Sequence, residues 1–104
     1  MAVAASVALV VYRELEDDYV GLWIVPWHVR RALPEANDDE IREISTAVLV
    51  ALVTQDALIG DLGETTGSFT PWDTDTAVNT ALSAWLGLGR DPDIGEVAWL
   101  ALPS

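Results

Sequence analysis

The chain has 104 residues, 51% of them hydrophobic, with five tryptophans, so it is long enough and apolar enough to fold as one domain over residues 1–104. Seventeen acidic residues stand against five arginines (Arg13, Arg30, Arg31, Arg42 and Arg90) and no lysine, and the net charge of −12 sets the chain against phosphate backbones. The absence of cysteine excludes disulfides, thiolate nucleophiles and zinc–thiolate centres.

Residues 2–12 (AVAASVALVVY) carry no charge, and Val3, Val7, Val10, Val11 and Leu15 recur at helical steps, which predicts an amphipathic core helix. The segment lacks a basic leader and is shorter than the roughly 20 residues that span a bilayer. A core helix is therefore preferred over a signal peptide, and no membrane association is expected. The acidic run Glu14, Glu16, Asp17, Asp18 opposes the helix dipole and marks a stop, with Asp17 and Asp18 suited to opening the next element.

Tyr19 to Leu33 is ambiguous, because Val20 to Val25 resembles a strand while Leu22, Val25, Val29 and Leu33 keep helical spacing. Proline is tolerated only in the first helical turn, so Pro26 places a helix from about Ile24 to Leu33, preceded by a segment that is extended or loosely helical. Next, Asn37 and Glu40 form an Asx version of the capping box, with Asp38 and Asp39 in the first turn. Ile41, Ile44, Val48 and Leu52 give this helix an inner stripe. Beyond Ser45 its other faces turn apolar as well, which predicts burial on several sides, and Gln55 and Asp56 end it.

Leu58 to Leu62 reads as a strand, Gly63 to Gly67 as a turn and Ser68 to Trp72 as the return strand, kept short or on an edge by Pro71. Asp73 or Asp75 is expected to cap a helix in which Val78, Ala81, Leu82 and Trp85 share a face, ended by Gly87 or Gly89. Asp91 to Gly95 is turn chemistry, and Glu96 to Leu102 is a final strand paired with the hairpin. The order predicts an α+β fold, predominantly helical with about four helices, and a small antiparallel sheet from the hairpin and the C-terminal strand. The layout is winged-helix-like in topology alone.

Candidate chemistry is sparse. His28 is the only histidine, which leaves no His-rich metal site, and a catalytic use would need a deep pocket shared with a carboxylate. The Asp91–Glu96 run is a fragment of a cation-binding loop, without the full ligand spacing, and caps and turns account for its residues more simply. Phosphate-cradling, dinucleotide and serine-nucleophile motifs are absent. Neither enzyme activity nor a cofactor is expected. Among the tryptophans, Trp85 and Trp99 lie on apolar faces and are assigned to the core, whereas Trp23, Trp27 and Trp72 flank prolines or segment ends and are expected to be partly exposed.

The C-terminal half resembles a type of small, uncharacterised bacterial protein. The likeness rests on Leu58-Ile59-Gly60-Asp61-Leu62, on Phe69-x-Pro71-Trp72, and on Trp85-x-x-Leu88-Gly89-Arg90-Asp91-Pro92-x-Ile94-Gly95-Glu96-x-x-Trp99. It implies a bacterial origin and a structural role for these motifs, with no activity and no catalytic residues to carry over.

The charge and the aromatic residues together point to a non-enzymatic, cytoplasmic protein-binding domain, of the kind that serves as an immunity or inhibitor partner of a basic protein. The expected surface comprises Glu14, Glu16, Asp17 and Asp18, then Asp38, Asp39 and Glu40, with Trp23 and Trp27. Self-association would use apolar helix faces, with Val3, Val7 and Val11 as the candidate stripe. The alternative is a winged-helix-like regulator acting in a complex or on DNA through Arg30, Arg31 and Arg42. The charge makes nucleic acid the weaker partner class.

Overall fold

The computed structural model describes residues 2–103. Four helices and four short strands follow in the order α1 (Ala2–Leu15), β1 (Val20–Gly21), α2 (Ile24–Ala32), α3 (Asp38–Thr54), β2 (Leu58–Leu62), β3 (Phe69–Pro71), α4 (Ala77–Leu88) and β4 (Trp99–Ala101). The architecture is α+β with helix predominant, as the sequence pattern predicts. The sheet order is β1-β4-β2-β3 with every pair antiparallel. The last strand does join the hairpin, aligning Ile59 with Leu100. On its other side it pairs with β1, which the sequence pattern leaves undecided between strand and loose helix.

Local chemistry explains most boundaries. The Asn37 side chain accepts the Glu40 N–H at 2.8 Å while the Glu40 carboxylate accepts the Asn37 N–H at 3.0 Å, the reciprocal capping box. At the far end of α3, Asp56 takes a left-handed φ of 69°. Its N–H and that of Ala57 donate to the carbonyls of Val53 and Leu52, both at 3.0 Å, a Schellman closure without the usual glycine. Pro26 lies in the first turn of α2, where its missing N–H costs nothing. Gly89 ends α4 in the left-handed conformation.

Several local expectations are corrected. Asp17 and Asp18 lie in the turn that leads into the next element, as expected, but that element is the strand β1, and the Asp18 carboxylate accepts the N–H of Tyr19 at 2.7 Å. Neither Asp73 nor Asp75 caps α4, whose N-cap is Thr76. Asp73 instead accepts the Asp75 N–H at 3.1 Å in a turn ahead of the helix. Helix α3 is buried on several sides as expected, with Ile41, Ile44, Ser45, Val48, Leu49 and Leu52 all buried, while Val50 on its remaining face is 49% exposed. The apolar stripe Val7 and Val11 is core and Val3 packs against it, so it is unavailable for self-association.

The core lies between the helices and the sheet. Val11, Leu22, Val25, Val29, Ile41, Val48, Leu49, Leu52 and Leu100 are all buried, each such side chain contributing about 1.5–3 kcal/mol of transfer free energy. Trp85 is core as expected, but Trp99 is half-buried and lies outside the core cluster. A strand of three residues at the sheet's centre presents alternate side chains to opposite faces, which turns Leu100 inward and leaves Trp99 on the other side.

Candidate functional site

Helix α2 gathers most of the aromatic and basic residues that the sequence singles out. Trp23 and Trp27 are one helical turn apart, so they point the same way. They line an open groove of about 520 Å³ with Arg30, Arg31 and the segment from Asp91 to Ile94. The Trp23 indole lies over Gly21, where an added Cβ would fall 2.5 Å from Trp23 Cδ1, so a residue without a side chain is needed there. Trp27 is 43% exposed. The Arg31 guanidinium stands 4.7 Å from its ring centroid, a cation–π contact.

The opposite wall is the loop between α4 and β4, built by two arginines. Arg90 forks onto Glu96 with hydrogen bonds of 2.6 and 2.8 Å, and Glu96 also accepts the Asp93 N–H at 2.8 Å. These donors hold the Glu96 carboxyl at about 2, well below its ordinary value, the Arg90 hydrogen bond contributing most. Arg30 docks the loop onto α2. Its Nε donates to Asp91 Oδ2 at 2.5 Å and Nη2 to Asp91 Oδ1 at 3.0 Å, with a further 3.0 Å bond from Nη2 to Asp38. Asp91, and secondarily Asp38, raise the Arg30 pKa further above an already high value. After Glu96 the Ala98 N–H turns back to the Glu96 carbonyl at 2.8 Å, leaving Val97 at φ 68°, a costly conformation for a β-branched residue.

Compared with protein-family models, curated proteins and solved structures, the chain matches none.

The predicted acidic surface divides into two parts with different employment. Asp38 bonds Arg30, Asp39 bonds Arg42, and Glu40 completes the cap of α3. That second cluster is thus engaged within the chain. Glu14 accepts from His28 Nε2 at 3.2 Å, on the α2 helix whose Trp27 meets the His28 ring edge-on at 4.9 Å. Glu16, Asp17 and Asp18 are exposed and bond no cation among the described residues. They rim a separate hollow of about 270 Å³ with Leu15, Tyr19, Ala101 and Leu102. Tyr19 stacks on Phe69 at 5.8 Å, so an aromatic pair borders the free carboxylates.

The structure therefore brings Trp23 and Trp27 together but places Glu16 to Asp18 in another hollow. Sequence reasoning missed Asp91 and Asp93 as walls of the tryptophan groove, having taken them as turn residues. A signal was present: Arg90 and Glu96 are oppositely charged and bracket a proline and a glycine, as a stapled loop requires. Among the described residues no group of three or more His, Asp or Glu could hold a metal ion. The carboxylates nearest that description, Asp91, Asp93 and Glu96, already face arginine. No helix of the described residues is long and apolar enough to cross a membrane.

Proposed function

We propose that the chain is a non-enzymatic protein-binding domain that acts in the cytoplasm and takes a basic partner, in the manner of an immunity or inhibitor protein. The observation that carries this reading is the run Glu16-Asp17-Asp18, three exposed carboxylates that bond no cation among the described residues, beside the Tyr19–Phe69 pair. Charge of this sign steers a basic protein, and the adjacent aromatic surface supplies apolar contact once the two meet. The alternative, a regulator that acts on DNA, would need cations on the exposed side of α3 or α2. Of the three arginines it would use, Arg30 and Arg42 are already held by carboxylates, which leaves Arg31 beside Trp27, and the first turn of α3 is Asp38-Asp39-Glu40.

The test is affinity capture with the full chain from lysate of its source cells at low salt, followed by titration calorimetry on whatever is retained. The reading expects a stoichiometric basic protein, lost when Glu16, Asp17 and Asp18 are changed together to Gln, Asn and Asn. Retention of no basic protein would count against it. A salt-sensitive gel shift with DNA would transfer support to the alternative.

A further inference from the structure

We propose that the groove between α2 and the loop from α4 to β4 is a docking site for an extended, proline-rich peptide segment with a basic flank. One wall comes from α2, where Trp23 and Trp27 stand with Arg31 stacked on Trp27. Pro92, Asp93 and Ile94 supply the other wall, and Ile94, 72% exposed, is the most exposed large apolar side chain among the described residues. A lone apolar side chain on a surface calls for no explanation. This one belongs to a loop that the Arg90–Glu96 and Arg30–Asp91 pairs lock in place, and it shares a groove with a half-exposed tryptophan. The two walls are therefore set before a ligand arrives, and little ordering is left to oppose binding.

The polar groups and the charge of the groove select the occupant. Of the indole N–H groups only that of Trp72 finds an acceptor among the described residues, Asp61 at 2.9 Å, so those of Trp23 and Trp27 have none. Arg31 bonds no carboxylate among the described residues, whereas Asp91 is taken up by Arg30. The α2 wall thus offers donors. A polyproline II segment presents carbonyls and, at each proline, no N–H, so it supplies acceptors and requires few in return, while its rings pack on indole faces. An α-helix would arrive with its backbone groups already bonded to one another, and strand addition needs a sheet edge, whereas these walls are a helix and a loop. The basic flank follows from Asp93. Its side chain is 85% exposed, and Arg90, 3.7 Å away, is committed to Glu96 by shorter bonds. A lysine or arginine of the segment pairs there, at the wall opposite Arg31, and the net charge of −12 draws a segment of that sign. This site is separate from the Glu16–Asp18 hollow.

Fluorescence anisotropy with the full chain and a labelled, amidated octaproline–arginine peptide tests this. The comparison peptides are octaproline–glutamate and a glycine–serine peptide of equal length ending in arginine. The first should bind saturably below about 1 mM, and the glycine–serine peptide at least about tenfold more weakly. Trp27→Ala and Ile94→Ser, both at exposed positions, should each weaken binding at least about fivefold. Asp93→Asn should erase the preference for arginine over glutamate at the flank. Leu86→Glu, exposed on α4 and outside the groove, should change nothing. Should a groove variant fail to fold, the wild type still reports: in proton–nitrogen spectra the Trp23 and Trp27 indole signals should move on adding peptide, while that of Trp72, held by Asp61, stays. Changing Glu16, Asp17 and Asp18 together to Gln, Asn and Asn should alter peptide affinity less than about twofold at physiological salt, so this site and the basic-partner reading fail separately. No saturation by about 1 mM overturns the proposal, as does equal binding of the glycine–serine peptide. So does binding that survives Trp27→Ala, or indole shifts confined to tryptophans other than Trp23 and Trp27.

Discussion

Arg30 and Asp91, 61 positions apart, meet in a two-pronged ion pair that closes the loop between α4 and β4 against α2. Each side chain is roughly one-third exposed, which places the pair between a surface contact and a buried one. A double-mutant cycle of Arg30→Ala and Asp91→Asn, measured by urea denaturation, should give a coupling of about 1 kcal/mol. Arg30→Lys should restore only part of it, since an ammonium cannot reproduce the planar fork. Strict additivity of the two single variants would mean the pair contributes nothing.

The Glu96 carboxyl offers a pH prediction. Its folded value of about 2 lies below its ordinary value of 4.5, so its contribution to stability is fully present above 4.5. That contribution is lost as pH falls from 4.5 through 2. Carboxyl NMR should place the Glu96 midpoint at the low end of this window. In Glu96→Gln the acid-induced loss of order around Asp93 should no longer follow that titration. A Glu96 midpoint at the ordinary value would show that Arg90 does not hold it in solution.

Asp56 occupies a left-handed position at the end of α3, where it has both a Cβ penalty and a negative charge facing the negative end of the helix dipole. Asp56→Gly relieves both. It should stabilise the chain by about 0.5–1 kcal/mol, observed as a rise of a few degrees in thermal midpoint. A fall in midpoint would mean that the aspartate makes a compensating contact.

Gly60 lies in the middle of β2, opposite Pro71 on one side and Trp99 on the other. A Cβ there would come 2.2 Å from the Thr70 carbonyl oxygen and 2.8 Å from Pro71 Cα, both backbone atoms that cannot rotate aside. Gly60→Ala should cost about 1–3 kcal/mol by forcing the hairpin apart. Amide exchange should rise first at Trp72, whose N–H donates to the Ile59 carbonyl at 2.8 Å. Unchanged stability would require a different β2–β3 register.

What was legible in the sequence was local. The capping box needs only Asn37 and Glu40, and the β2 limits follow from an apolar run bounded by turn residues. Of the relations between distant residues, only the pairing of the last strand with the hairpin left a trace. Val20-Gly21 is too short to display a strand period, and it becomes a strand only because β4 is beside it. In α1 helical spacing picked out Val7, Val11 and Leu15, which are core, but also Val10, which is 44% exposed, because the outward face carries apolar residues as well. The groove is the same case. Trp23 and Trp27 were visible as a pair, but the Asp91 wall depends on Arg30 reaching across the fold.

The sheet's outer strands carry a consequence for how the chain meets others. One edge is the two-residue β1 and the other is the three-residue β3, which ends in a proline that has no N–H to offer. Such truncated borders give an incoming extended peptide too few free backbone groups to add a strand, and they blunt templated growth into fibrils. Recognition is thereby left to side chains on the helices and loops.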